Sequence, residues 1–127
     1  HGQSVFEFDP IPVVDAGQAD MVQTDHRVAD GVRFESTPGH TPGHVSVHIE
    51  SNGEQAIITG DMMHHPCQIA RPDWVTPFDA DSPAARATRE QFLERYADAP
   101  VLVLGTLFAD PVGGRIVRDG DAYRFDV

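Results

Sequence analysis

An alternation of apolar and polar residues stands out in the middle of the chain. Between residues 45 and 50, valine or isoleucine occupies every second position, and serine, histidine and glutamate lie between them. This period of two is typical of a β-strand with one buried face. Asn52-Gly53 follows, a dipeptide that favours tight hairpin turns, and leads into an apolar segment over residues 55–59. The pattern predicts a β-hairpin.

The segments on either side of this hairpin are less regular. Short apolar runs at residues 5–8, 11–14 and 32–34 are separated by Asp, Gly and Pro, which predicts short strands and turns. After Asp61 the chain is rich in proline, and we expect an extended irregular loop. Further along, Asp81 or Ser82 can cap a helix whose apolar residues recur near one face. This is the one main helix that the sequence predicts.

The last part of the chain returns to strand patterns. Residues 101–104 are continuously apolar, as in a strand that is covered on both faces, and Asp119-Gly120 predicts a final hairpin turn. The order of elements is several strands, a loop, one helix and further strands. This order indicates an α/β or α+β fold, with a mixed sheet and a helix packed on one face. We expect residues 1–127 to form a single domain.

Charge and composition narrow the classes of partner. The formal net charge is −11 and every basic residue is an arginine, without a basic stripe to neutralise phosphates, so we expect neither nucleic acid nor an anionic membrane as a partner. No apolar run approaches the roughly 20 residues that span a bilayer. The single cysteine, Cys67, fits a reducing compartment, and a cytoplasmic location is expected. A small-molecule substrate suits such a protein best.

Candidate chemistry lies around the central hairpin. The segment Thr-Pro-Gly-His-Thr-Pro-Gly-His places His40 and His44 in a loop before the first strand. Asp61 follows the second strand and precedes His64 and His65. Imidazole nitrogen and carboxylate oxygen are suitable ligands for zinc and similar divalent metals. A histidine loop beside a strand-end aspartate therefore predicts half of a metal site.

These motifs resemble the third and fourth metal-binding motifs of the metallo-β-lactamase superfamily, especially its lactonase, glyoxalase II and methyl parathion hydrolase branches. The resemblance implies a metal-dependent hydrolase of lactones, esters, thioesters or phosphoesters. It implies that His40 is a terminal ligand of one metal, most simply zinc, and that Asp61 is the catalytic carboxylate that bridges two ions. His44 is generally not a ligand there, and we expect it, His64 or His65 to line the pocket or to orient a ligand.

Other motifs of that family are missing from the sequence. Leu107 stands where the family has the histidine that binds the second metal, and residues 1–36 contain no His-x-His-x-Asp-His motif. The resemblance therefore implies the C-terminal half of an αββα sandwich. We expect an isolated monomer to bind metal weakly and to be inactive. It would need a missing N-terminal half or a second copy in a homodimer; alternatively, the chain is a catalytically inactive folding or interaction unit.

Overall fold

The computed structural model describes residues 11–127, which form one seven-stranded mixed sheet with a long helix on one face. The helices are α1 (Ile11–Asp15), α2 (Cys67–Ala70) and α3 (Ser82–Tyr96), and a 3₁₀ turn spans Gly60–Met62. The strands are β1 (Arg27–Ala29), β2 (Val32–Ser36), β3 (Val45–Ser51), β4 (Glu54–Ile58), β5 (Val101–Leu104), β6 (Gly113–Asp119) and β7 (Ala122–Asp126). The predicted α+β class with a mixed sheet is confirmed.

The strands follow one another across the sheet in chain order. Every neighbouring pair is antiparallel except β4 and β5, which run parallel and are joined through α3. The predicted central hairpin is confirmed as β3 and β4. Its turn residues Asn52 and Gly53 both have positive φ, at 53° and 78°, as the mirror-image hairpin turns require. The hairpin predicted around Asp119-Gly120 is confirmed as β6 and β7.

The parallel pair of strands determines where a site can form. Ile58 lies opposite Leu104, so the segments that follow β4 and β5 leave the same edge of the sheet. Two hydrogen bonds continue the pairing beyond the strands. The Thr59 amide donates to the Leu104 carbonyl at 3.0 Å, and the Gly60 amide donates to Thr106 Oγ1 at 2.9 Å. Asp61 consequently lies at the carboxyl edge of the sheet, where folds of this kind usually bind ligands.

Helix α3 covers one face of the sheet and closes the core. Asp81 caps its first turn, since Oδ1 of Asp81 accepts from the Ala84 amide at 3.0 Å. The core contains residues from the strands, from the loops after Asp61 and after β5, and from one side of α3; they are Ile57, Met62, Met63, Ile69, Phe92, Leu93, Tyr96, Val101, Val103, Phe108 and Ile116. On the opposite face of the sheet Leu102 remains 39% exposed. The prediction that residues 101–104 are covered on both faces is therefore wrong for the described residues, because the helix packs on only one of them.

Two further predictions need correction. Residues 11–14 form helix α1 rather than a strand, because Pro12 supplies a helical φ near its start and Gly17, with φ of 70°, ends it. The loop after Asp61 is less irregular than expected, since it contains the 3₁₀ turn and α2 and contributes buried Met63 and Ile69 to the core. The strand predicted at residues 5–8 lies outside the described residues.

Within residues 11–127 no helix is long and apolar enough to cross a membrane.

Candidate metal site

His40 lies in a loop that main-chain hydrogen bonds hold in a fixed shape. The Gly39 amide donates to the Thr41 carbonyl, and the Thr37 and His44 backbones pair where the loop begins and ends. The loop also pairs with the segment before α3. There the Ala80 amide donates to the His40 carbonyl at 3.0 Å, and the Asp81 amide donates to the Gly39 carbonyl at 2.9 Å. Hydrogen bonds to the carbonyls of Gly39 and His40 therefore fix the backbone at His40.

His40 and Asp61, the two ligands implied by the resemblance, lie next to each other. His40 Nε2 is 3.3 Å from Asp61 Oδ2. The His40 side chain is 20% exposed and the Asp61 side chain 45% exposed, so the pair is open to solvent on one side. The imidazole and the carboxylate therefore come from different elements but point at a common space.

His44 supports this pair through the backbone of Asp61. Its Nε2 accepts a hydrogen bond from the Asp61 amide at 2.8 Å, which leaves the ring proton on Nδ1. Nδ1 lies 3.0 Å from the Thr37 carbonyl and 2.9 Å from Thr37 Oγ1. Burial lowers the pKa of His44 from 6.5, against smaller opposing effects of the Thr37 carbonyl and nearby carboxylates. A neutral His44 with both nitrogens occupied positions Asp61 and is not free to bind an ion.

Asp79 is a site residue that the sequence does not reveal. Its side chain has no exposed surface, and its Oδ1 lies 3.2 Å from His40 Nδ1, the nitrogen opposite the one facing Asp61. On its other side Asp79 Oδ2 lies 3.6 Å from Nη1 of Arg89, which is itself fully buried. Just upstream of a helix, an aspartate predicts a cap and nothing more, and 39 residues separate it from His40. No local pattern could have identified this contact.

The two adjacent histidines, His64 and His65, have different surroundings. The His64 ring lies 5.5 Å from the His40 ring, and its Nδ1 is buried without a hydrogen-bond partner among the described residues. His65 is exposed, and its Nδ1 accepts from the Cys67 amide at the start of α2. His65 lines a separate cavity of about 300 Å³ with Pro111 and Phe125. The structure therefore brings His40, His44, Asp61 and His64 together and leaves His65 outside the group.

Leu107 was singled out from the sequence, and an exposed tryptophan, Trp74, lies in the loop before α3. Leu107 is 46% exposed and follows Thr106, whose hydroxyl accepts from the Gly60 amide beside Asp61. Trp74 is 49% exposed, while its carbonyl accepts hydrogen bonds from Arg89 and Gln68. Its backbone thus fixes the loop to the core, and its ring lies on the surface with Arg71 5.2 Å from the ring centroid.

The donors at this edge fit a divalent metal such as zinc. Nitrogen and oxygen ligands bind zinc at about 2.0–2.2 Å, so two ligands of one tetrahedral ion lie about 3.3 Å apart. The His40 and Asp61 atoms are 3.3 Å apart. A second group overlaps this pair, because one atom each of His40, His64 and Asp79 lie within 4.8 Å of one another. The catalytic zinc ions of proteins usually have three protein ligands, so the pair alone is an incomplete set.

Comparison with known proteins agrees with this fold. Residues 1–105 match the family model of the metallo-beta-lactamase superfamily. The match covers well over half of the chain, and the chain therefore belongs to this superfamily. No curated protein sequence matches it significantly.

Solved structures of several hydrolases share the fold. AidC, a dizinc quorum-quenching lactonase in complex with an acyl-homoserine product, superimposes with a TM-score of 0.80 at 22% identity, covering 98% of this chain and 44% of AidC. The hydrolase AbOPH gives 0.81 at 24% identity, with coverage of 93% and 41%. A probable metal-dependent hydrolase from Staphylococcus aureus gives 0.74 at 21% identity, with coverage of 87% and 40%. The chain thus spans less than half the length of each of these proteins.

Proposed function

We propose that this chain forms part of a metal-dependent hydrolase in which His40 and Asp61 bind a divalent ion, most simply zinc. The observation that carries the proposal is the 3.3 Å separation of His40 Nε2 and Asp61 Oδ2 at the carboxyl edge of the sheet. Both atoms are lone-pair donors, and a half-buried, neutral His44 holds the backbone of Asp61. Side chains placed only to cap backbone amides would not need to converge in this way.

The chain's own residues hold and orient the reacting groups in this proposal. His40 and Asp61 supply donor atoms, and His64 places a further imidazole beside them. When bound, a divalent metal would polarise the carbonyl or phosphoryl oxygen of a substrate. Asp61 is the catalytic carboxylate, since its half-exposed oxygens face the space a substrate would enter. The substrate class we propose is a small lactone, ester, thioester or phosphoester.

Further donors must complete the site. His40 and Asp61 are two ligands, fewer than a catalytic zinc usually has, and Leu107 contributes none. We propose that they come from an N-terminal half of the sandwich or from a second copy of the chain. The sheet face that residues 11–127 leave uncovered gives such a partner a surface, because Leu102, Ile49 and Ala56 line a cavity of about 490 Å³ there.

Zinc titration of the purified protein tests this proposal. His40→Ala and Asp61→Ala should each weaken zinc binding at least tenfold, measured by competition with a chromophoric chelator. His26→Ala is the matched control, because His26 is an exposed histidine that precedes β1 and takes no part in the site, and it should leave the affinity unchanged. Where the protein hydrolyses a lactone or ester, Asp61→Ala should abolish the activity. Unchanged zinc affinity in both ligand variants would rule out the proposed site.

A second candidate function is a catalytically inactive unit that pairs with another copy. Two observations favour it, namely Leu107 at the position of a ligand and the partly exposed Leu102 on the uncovered face. Light scattering coupled to chromatography separates the two ideas when combined with the zinc titration. A dimer that binds no zinc and is disrupted by Leu102→Asp would favour the interaction unit, whereas a zinc-binding species favours the hydrolase.

A further inference from the structure

The carboxylate of Asp79 is fully buried, and burial of a charge requires compensation. Removing a carboxylate from water costs several kcal/mol unless charged or hydrogen-bonding groups replace the lost solvation. Two groups do so here. His40 Nδ1 lies 3.2 Å from Oδ1, and Arg89 Nη1 lies 3.6 Å from Oδ2. Asp79 is thus placed between a buried cation and the outer nitrogen of the ring that faces Asp61.

Arg89 is held as firmly as the carboxylate that it faces. It lies in the middle of α3 with no exposed surface, and its guanidinium donates to the carbonyls of the loop after Asp61. Nε donates to Pro72 at 3.1 Å and Nη2 to Trp74 at 3.0 Å, while Nη1 lies 3.5 Å from the Met62 carbonyl. These bonds orient the fork of the guanidinium, so its position beside Asp79 is set by the loop and the helix together.

The backbone fixes the distance between Asp79 and His40. Two hydrogen bonds join the backbone just after Asp79 to the backbone at His40. The Ala80 amide donates to the His40 carbonyl, and the Asp81 amide donates to the Gly39 carbonyl. The two backbones therefore cannot separate without breaking main-chain bonds, and the carboxylate starts from a Cα held close to the ring. Such a contact restricts both the ring's rotation and the choice of the nitrogen that carries its proton.

We propose that Asp79, oriented by Arg89, is a positioning residue that keeps the His40 proton on Nδ1 and so leaves the lone pair of Nε2 available for an ion shared with Asp61. This inference rests on the proposed function, in which Nε2 binds the metal. A carboxylate that accepts from the outer nitrogen of a ligating histidine fixes the tautomer and the orientation of the ring. Asp79 itself is not a ligand, because an ion between it and His40 would lie beside the buried positive charge of Arg89.

Asp79→Asn gives a directional test. Arg89 is a donor, so the new amide should turn its oxygen toward Arg89 and its NH₂ group toward His40. His40 Nδ1 would then have to accept, and the proton would move to Nε2. In metal-free protein at pH 8, ¹⁵N spectra of the imidazole rings should show an Nδ1-protonated His40 in the natural protein and an Nε2-protonated His40 in the variant. The His40 signal is assigned by its loss in His40→Gln.

Zinc affinity supplies the second readout. Asp79→Asn should weaken zinc binding by about 10- to 100-fold, the usual effect of removing such a partner. Asp73→Asn is the matched control, because it makes the same chemical change in the same loop at an exposed carboxylate paired with Arg71. It should change neither the tautomer nor the affinity.

The outcomes separate this inference from the proposed function. A natural protein whose metal-free His40 carries its proton on Nε2 would overturn the inference, whatever the variants do. A variant that loses zinc while His40 keeps its Nδ1 proton would also overturn it, because Asp79 would then act as a ligand. If the natural protein binds no zinc but shows the expected change of tautomer, the proposed function fails and the positioning role of Asp79 stands.

Discussion

Two glycines in the loop that carries His40 should respond very differently to replacement by alanine. Gly39 has a φ of +136°, a region that L-residues rarely adopt. A Cβ at this position would lie 2.3 Å from both the Cα and the amide nitrogen of Ala85 in α3. Gly43, four residues later, has no atom within 4 Å of such a Cβ. The same chemical change therefore tests a close approach at one position and open space at the other.

The cost of Gly39→Ala follows from these two constraints. The unfavourable φ costs about 1–3 kcal/mol. Carbon atoms in contact lie about 3.5–4.0 Å apart, so the loop and the helix backbone would have to separate by more than about 1 Å. That movement strains the 2.9 Å bond from the Asp81 amide to the Gly39 carbonyl and costs a further 1–3 kcal/mol or so. We expect Gly39→Ala to lower the free energy of unfolding by about 2–6 kcal/mol, and Gly43→Ala by less than about 1 kcal/mol.

Urea denaturation followed by circular dichroism measures both variants against the natural protein in the absence of metal. Gly39→Ala should also weaken zinc binding, because the next residue is His40 and its carbonyl accepts from the Ala80 amide. Equal stability of the two variants, within about 0.5 kcal/mol, would refute the close approach of the loop to α3. It would also remove the structural reason for a glycine before His40.

Two further predictions concern the stability of the protein at alkaline pH, through Tyr96, and its zinc affinity when Leu107 is replaced by histidine. Burial, and after it the contact with Glu35, raises the pKa of Tyr96 from 10.0 to about 12. Because the folded state favours the protonated hydroxyl, Tyr96 contributes fully to stability below pH 10, and this contribution is lost as the pH rises toward 12. The loss should reach about 2–3 kcal/mol in urea titrations between pH 9 and 12, and Tyr96→Phe should reduce this pH dependence while Tyr123→Phe leaves it. Leu107→His places an imidazole on an exposed position after Thr106, which bonds to Gly60. It should tighten zinc binding at least tenfold in the chelator assay, whereas Leu102→His should not, and equal affinities would show that position 107 cannot reach the ion.

Local patterns were sufficient for the elements whose stability is local. The alternation over residues 45–50 and the Asn52-Gly53 turn determine a hairpin because the burial of one face and the turn geometry act over adjacent residues. The cap at Asp81 likewise involves the amide of Ala84, three residues away. By contrast, the α1 segment has an apolar run that suits either a strand or a helix, and there Pro12 and Gly17 decided the outcome.

The sequence could not predict the interior of the site, because its stabilising contacts are long-range. Arg89 lies in a helix where an arginine normally faces solvent, yet here it is buried and bonded to carbonyls 15 and 17 residues upstream. Only the tertiary fold shows that a cation is available to compensate the burial of Asp79. The family resemblance identifies His40 and Asp61 because each lies in a short contiguous motif. It does not identify Asp79 and Arg89, which hold His40 in place and belong to neither motif.

The positions of the two proposed ligands depend on contacts made within residues 11–127. His44 fixes the Asp61 backbone through a 2.8 Å bond, and Asp79 contacts the outer nitrogen of His40 at 3.2 Å, with Arg89 behind it. A side chain held in place on both sides loses little entropy when it binds an ion, so its geometry does not have to be imposed by a partner. If this chain is inactive alone, the cause is therefore the number of its donors and not their arrangement. For that reason an added donor, whether a histidine at position 107 or one from a partner, should increase affinity without any rearrangement of His40 and Asp61.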